Sequence, residues 1–120
     1  MRIMDNTIYE KSFQFAVRIV NLCIYLQTEH KEHVLSKQIL RSGTSIGANI
    51  HESKYAQSMP DFVSKMQIAL KECYESEYWL EIMNRTALLS TEQYRIYLSK
   101  CGALRRMLIS SIKTTKSNIE

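Results

Sequence analysis

The chain holds a single proline, Pro60, and three glycines in 120 residues, and Gly43 and Gly47 stand about one helical turn apart. Glycine and proline are the strongest interruptions of regular structure, and a sheet protein needs many of them for its turns. So few breakers favour long helices. A chain of this length is expected to form one domain over residues 1–120. It can bury roughly two-thirds of its unfolded surface, enough for one core.

Start and stop signals divide the chain into four spans. Thr7-Ile8-Tyr9-Glu10 has the Thr-x-x-Glu pattern of a capping box, and no breaker follows until about residue 30. The polar run Thr28 to His33 reads as a turn, and a second helix is expected from about Val34 to Ala56. Ser58-Met59-Pro60-Asp61 opens a third, with Ser58 as cap, Pro60 in the first turn and Asp61 at the positive helix end, running to about Arg85. Ser90 and Gln93 form another capping box and open a fourth helix to about Thr115. The apolar spacing agrees: Tyr94, Tyr97, Cys101, Leu104 and Leu108 step by three and four. Loops this short force neighbouring helices antiparallel. The expected fold is all-α, an antiparallel up-down-up-down four-helix bundle.

The first helix carries more apolar surface than one bundle can cover. From Phe13 to Leu26 only Gln14, Arg18 and Asn21 are strongly polar, and they fall on one narrow stripe. A peripheral bundle helix needs about a third of its face apolar. An almost entirely apolar one needs cover on further sides, which predicts a homo-oligomer.

The stretch RSGTSIGANIHE, residues 41–52, packs small residues around Ile46. It is not a loop, because apolar period continues through Ile39, Ile46 and Ile50. A phosphate cradle would need a preceding strand and a Lys after the second glycine, and both are missing. Ser42, Ser45 and Asn49, with the two glycines, remove bulk from whole helix faces, so that neighbouring backbones can come close. Each glycine costs about 1 kcal/mol of helix propensity. The stretch reads as a packing seam.

These residues also carry a resemblance. Gln38-Ile39 followed by residues 41–52 resembles the signature of the 23S rRNA intervening-sequence protein family, small bacterial four-helix bundle proteins with a pattern close to QI-RSA-SI-ANIAEG. Phe62 and the acidic pair Glu75-Ser76-Glu77 fit the third helix of that pattern, and the likeness covers about residues 8 to 115. Ser53 stands where the family has Gly, Lys71-Glu72 where it has Gly-Ser, and Ser76 where it has Leu; these departures bear on helix packing. The resemblance implies antiparallel helices, a ring-like homopentamer and no established enzyme activity. Among partners it implies other copies of the chain, RNA or DNA, and a reverse transcriptase or ribosomal component. The reverse transcriptase comes through a more distant relative, the accessory protein of diversity-generating retroelements.

No catalytic constellation emerges. No Glu has a His three residues later, as di-iron bundles need, and His30-x-x-His33 sits in a polar turn where solvation explains it better than a metal. Arg41 stands ten positions before His51, too far for the Arg-His motif of helical-bundle ribonucleases of the HEPN type. No serine sits in a nucleophile elbow. Cys23, Cys73 and Cys101 lie singly in apolar stripes with no CxxC pair, as buried thiols of a reducing compartment would. With no signal segment at the start and no apolar window long enough to span a bilayer, a non-enzymatic cytoplasmic protein is expected, without cofactor, metal or membrane.

Charge points to nucleic acid. Residues 1 to 90 hold 10 basic and 10 acidic side chains, so the net charge of +4 arises in the last quarter, from Arg95, Lys100, Arg105, Arg106, Lys113 and Lys116 against Glu92 and Glu120. Arg95, Arg106 and Lys113 fall within about 20° on a helical wheel, opposite the apolar stripe. Such a line, flanked by Arg105 and Lys116, can follow a phosphate backbone. The competing readings are a solvated face on a pure protein-interaction scaffold, and an RNA-processing enzyme.

Counting away from the turn near residue 58 pairs antiparallel positions whose numbers sum to about 117. Arg41 then falls opposite position 76, between Glu75 and Glu77, and Glu52 opposite Lys65. Glu77 interrupts an apolar stripe, so an inward Arg41–Glu77 clamp is expected, with Asn49 bonding backbone groups on the same seam. Loss of Arg41 should then cost a few kcal/mol by stranding a buried charge.

Overall fold

The computed structural model describes residues 6–119. Four helices follow one another in the expected antiparallel up-down-up-down order: α1 (Asn6–Glu29), α2 (Leu35–Ser53), α3 (Met59–Arg85) and α4 (Thr91–Ile119). They form an elongated bundle of 48 × 21 × 20 Å. Adjacent helices pack tightly along α1–α2, α2–α3 and α3–α4, whereas α1 and α4 meet over a much shorter stretch.

The boundaries follow local chemistry. Ser58 Oγ accepts from the Asp61 amide at 3.2 Å, and Asp61 accepts in return from the Gln57 amide at 3.0 Å. Ser90 and Gln93 bond reciprocally, both at 3.1 Å. Thr7 instead lies inside the first turn of α1, which begins at Asn6, so it does not occupy the cap position. α2 stops at Ser53, short of Ala56, because the chain leaves through i→i+3 turns from Tyr55 to Glu52 and from Ala56 to Ser53. α4 continues past Thr115, since no breaker intervenes.

The start of α2 is capped by a residue in the turn before it. Val34 has no side chain suited to capping, and Glu32 replaces it, accepting from the amides of Val34, Leu35 and Ser36 at 3.2, 3.0 and 2.8 Å. Partial burial alone would raise the Glu32 carboxyl, but those amide bonds, aided by His33, outweigh it and hold it below the ordinary value of 4.5. A carboxyl lowered on folding stabilises above its unfolded pKa, and the contribution is lost as pH falls through the folded value. Glu32→Gln should therefore cost about 1 kcal/mol at neutral pH, with the gap to the parent closing below about pH 4.5. Urea unfolding at neutral pH and at about pH 3 checks this, and an equal gap at both would refute it.

The core runs the length of the bundle. α1 contributes Ile8, Phe15, Ile19, Leu22 and Leu26, and α2 contributes Ile39, Ile46 and Ile50. Phe62, Met66, Leu80 and Met83 of α3 meet Leu104, Leu108 and Ile112 of α4. The three cysteines are buried and free. Cys101 Sγ donates to the Cys73 carbonyl at 3.5 Å. Contact with Cys73, then burial, pushes the Cys101 thiol far above its ordinary range, which keeps it protonated and unreactive.

Candidate nucleic-acid interface

The small-residue stretch of α2 faces two neighbours at once. On the α1 side, a Cβ added at Gly43 would lie 2.8 Å from Ile19 Cγ1, and one at Gly47 would lie 3.2 Å from the Ser12 carbonyl oxygen. At Gly47 the missing side chain lets the α1 backbone itself approach, and at Gly43 it leaves room for the Ile19 side chain against α2. On the α3 side, Ser76 Oγ donates to Ser42 Oγ at 3.0 Å with both residues fully buried. A serine at position 76 is thus satisfied by a serine at 42, where an unpartnered hydroxyl would be costly. Ser45 donates to the Arg41 carbonyl at 2.6 Å and Asn49 Nδ2 to the Ser45 carbonyl at 2.9 Å, both within α2.

The expected clamp between Arg41 and Glu77 does not form. Arg41 instead pairs with Glu72, at 3.2 Å, and with Glu75. Glu77 pairs with Arg105 of α4 at 3.1 Å. With Ser76 pointing at α2, helix rotation of about 100° per residue carries Glu75 toward one side of that contact and Glu77 toward the other. The antiparallel register itself holds, for Glu52 and Lys65 meet at 3.1 Å. Nor is Arg41 buried: its side chain is 50% exposed. Its loss should cost no more than about 1 kcal/mol, not several. Double-mutant cycles should accordingly give a coupling of about 1 kcal/mol for Arg105–Glu77 and near zero for Arg41–Glu77. The reverse ranking would contradict this arrangement.

The basic residues of α4 divide by the same geometry. Arg95, Arg106, Lys113 and Lys116 are exposed. None of them forms an ion pair with a carboxylate among the described residues. Arg105 differs. Its hydrogen bond to Glu77 raises its pKa against the opposing effect of burial, and its guanidinium lies 5.9 Å from the Tyr74 ring centre. Its charge is largely answered within the fold, leaving the other five, Lys100 among them, to face solvent.

Where α1 and α4 separate, a cavity of about 210 Å³ opens, floored by Phe15 and Leu104 and rimmed by Lys11, Arg18 and Lys100. A shallower depression beside it shares Arg18 and Lys100 and adds Arg95. Arg18 is near enough to Tyr97 to oppose, by its charge, the upward pull of burial on that phenol. Sequence reasoning saw Arg18 in the wet stripe of α1 and Lys100 in the basic quarter. Neither was assigned to a site, because they meet only across helices that are distant in sequence.

The outer side of α1 is apolar. Phe13, Val17, Val20 and Ile24 repeat at helical spacing, with 40–57% of each exposed. Phe13 and Tyr9 pack edge-on against His51 of α2, with ring centres 6.3 and 5.7 Å away. Among the described residues no group of three or more His, Cys, Asp or Glu could hold a metal, and no helix is long and apolar enough to cross a membrane.

Comparison with known proteins matches this arrangement to one family. The model of the 23S rRNA-intervening sequence protein family matches residues 4–110. A crystal structure at 1.70 Å, of a protein with unknown function from the S23 ribosomal protein family of Bacteroides thetaiotaomicron VPI-5482, is similar at 55% sequence identity and a TM-score of 0.88. The match covers 88% of this chain and 98% of that one. No curated protein matches the chain. With the family pattern reaching from α1 well into α4 and the same helical fold in a relative of that identity, the chain belongs to the 23S rRNA-intervening sequence protein family.

Proposed function

We propose that this protein is a non-enzymatic, cytoplasmic helical bundle that assembles with copies of itself and binds the backbone of RNA or DNA through the outward cations of α4. The observation that carries the nucleic-acid reading is the placement of Arg95, Arg106, Lys113 and Lys116, exposed and without an ion pair among the described residues. Cations so arranged release counterions when they meet phosphates, giving affinity without sequence preference. Self-assembly is supported by the apolar outer stripe of α1. A ring of five subunits, the number the family resemblance implies, would repeat the basic face around its circumference and add its contacts by avidity. A nucleic-acid-bound ring is also a surface on which the reverse transcriptase or ribosomal component implied by that resemblance could dock.

Replacing Arg95, Arg106 and Lys113 together by Gln should abolish binding to generic RNA and DNA without changing helical content. The parent protein should lose affinity steeply as salt is added, with a slope of about 0.7 to 0.9 per phosphate contact. Undiminished binding by the triple variant would show the face to be only solvated. A parent protein that binds neither polymer would leave a protein-interaction scaffold as the reading. Turnover of RNA by nuclease-free protein would instead make it an enzyme.

A further inference from the structure

Charges across the α2–α3 and α3–α4 junctions are matched by opposite charges. Arg41 meets Glu72 and Glu75 between α2 and α3, Lys65 meets Glu52 at the same junction, and Arg105 meets Glu77 between α3 and α4. The α1–α4 junction is different. Lys11 and Arg18 on α1 line one cavity with Lys100 on α4, and Arg18 and Lys100 continue into the depression that holds Arg95. All four cations are exposed, and none has an ion pair among the described residues. The nearest carboxylate along α1, that of Glu10, lies at the Lys11 end and accepts from Gln14 at 3.1 Å. Ser99 adds a hydroxyl to both openings. Like charges gathered on one groove repel, and an anion seated among them removes that repulsion.

The dimensions restrict what can enter. A cavity of about 210 Å³ between two helices holds phosphate and sugar but not the breadth of a double helix. The groove runs lengthwise, since Lys11 and Arg18 are seven residues and hence roughly 10 Å apart along α1. Its floor is apolar, Phe15 and Leu104, and the exposed side chain of Ile96 stands at the Arg95 end. Cations strung along a groove suit an extended strand, whose phosphates meet the cations while a base can lie against the exposed Ile96.

We infer that the α1–α4 groove binds single-stranded nucleic acid, with Arg18 and Lys100 as its central phosphate contacts and Lys11 and Arg95 at its ends. The inference rests on the nucleic-acid reading above and deepens it. The strand is led off the outer face of α4 and into the junction, and the fold selects single strands over duplex by width.

The test compares two double variants by fluorescence anisotropy on a labelled short oligouridylate and on a duplex of equal length. Arg18→Gln with Lys100→Gln should weaken single-strand binding by roughly tenfold or more and lower the salt slope by about 1.4, two contacts at about 0.7 each. Arg106→Gln with Lys113→Gln, outside the groove, should affect the single strand less. Unchanged helical content and melting temperature show that each variant folds. Should the Gln pair fail to fold, Arg18→Lys with Lys100→Arg keeps both charges and should keep binding. Equal or greater loss in the Arg106/Lys113 pair would overturn the groove and leave the α4 face as the site. Absence of binding by the parent protein would overturn both readings. Competition by inorganic phosphate at concentrations matched to the oligonucleotide's phosphates would reduce the site to an anion pocket and overturn the strand.

Discussion

Gly43→Ala should destabilise the bundle by roughly 1–2 kcal/mol, and Gly43→Leu by about 3 kcal/mol or more, although either residue forms helix better than glycine. An added Cβ at Gly43 would sit 2.8 and 2.9 Å from the two γ carbons of Ile19 and 3.2 Å from its Cβ. Ile19 is fully buried and β-branched, so it cannot swing aside in its helix. The backbones of α1 and α2 would have to separate instead, opening the core around Phe15 and Ile46. Gly102 provides the internal control. A Cβ there would meet at 3.3 Å the end of Arg106, which is exposed and can move, while 3.5 Å from Arg105 is ordinary van der Waals contact. Gly102→Ala should therefore stabilise by about 0.5–1 kcal/mol through helix propensity alone. Urea unfolding of the two alanine variants decides it. A stabilised Gly43→Ala would mean that the seam is not under close contact.

The second large effect concerns the outer face of α1. Under the proposed self-assembly, Val17→Glu together with Ile24→Glu should leave single chains of 14.1 kDa where the parent forms larger particles, as read by light scattering at micromolar concentration. Both side chains point away from the bundle core, so the variant's helical content should be unchanged. Between copies, however, the stripe of Phe13, Val17, Val20 and Ile24 would be covered. Burying even one unpaired carboxylate in such a contact costs several kcal/mol, enough to offset a modest interface. A parent protein already scattering as a single chain would remove self-assembly from the proposal. A variant with unchanged mass would move the contact to another face.

Much of the fold was legible because its determinants are local. Ser58 and the Ser90–Gln93 pair announce helix starts through hydrogen bonds spanning three residues. The small residues around Ile46 announced close approach because bulk is absent whatever lies opposite. What lay opposite was not legible. Gly43 and Gly47 admit α1, whereas Ser42, beside them in sequence, reaches across to Ser76 on α3. The clamp shows the limit most plainly. Counting from the turn placed residue 41 against 76, one residue from the Ser42–Ser76 contact that forms, yet the carboxylates on either side of Ser76 point to different helices. Glu75 and Glu77 lie two residues, about 200°, apart around α3, which gives the first to Arg41 and the second to Arg105.

The cap of α2 was missed for a related reason. Glu32 lies in a turn whose path bends its side chain forward onto the amides of Val34, Leu35 and Ser36, and no helical periodicity predicts that reach. The amino-acid order by itself determined four helices, their order and direction, the wet stripe and apolar surplus of α1, and the concentration of positive charge in α4. Those follow from spacing along one chain, through propensity, capping and amphipathic period. Only the tertiary structure decided that Arg18 of α1 and Lys100 of α4 line one cavity, that Arg105 is held by Glu77, and that Gly43 receives Ile19. Each is a meeting of residues on different helices, and it depends on the rotation and spacing of whole helices, which the packing of the entire core sets at once.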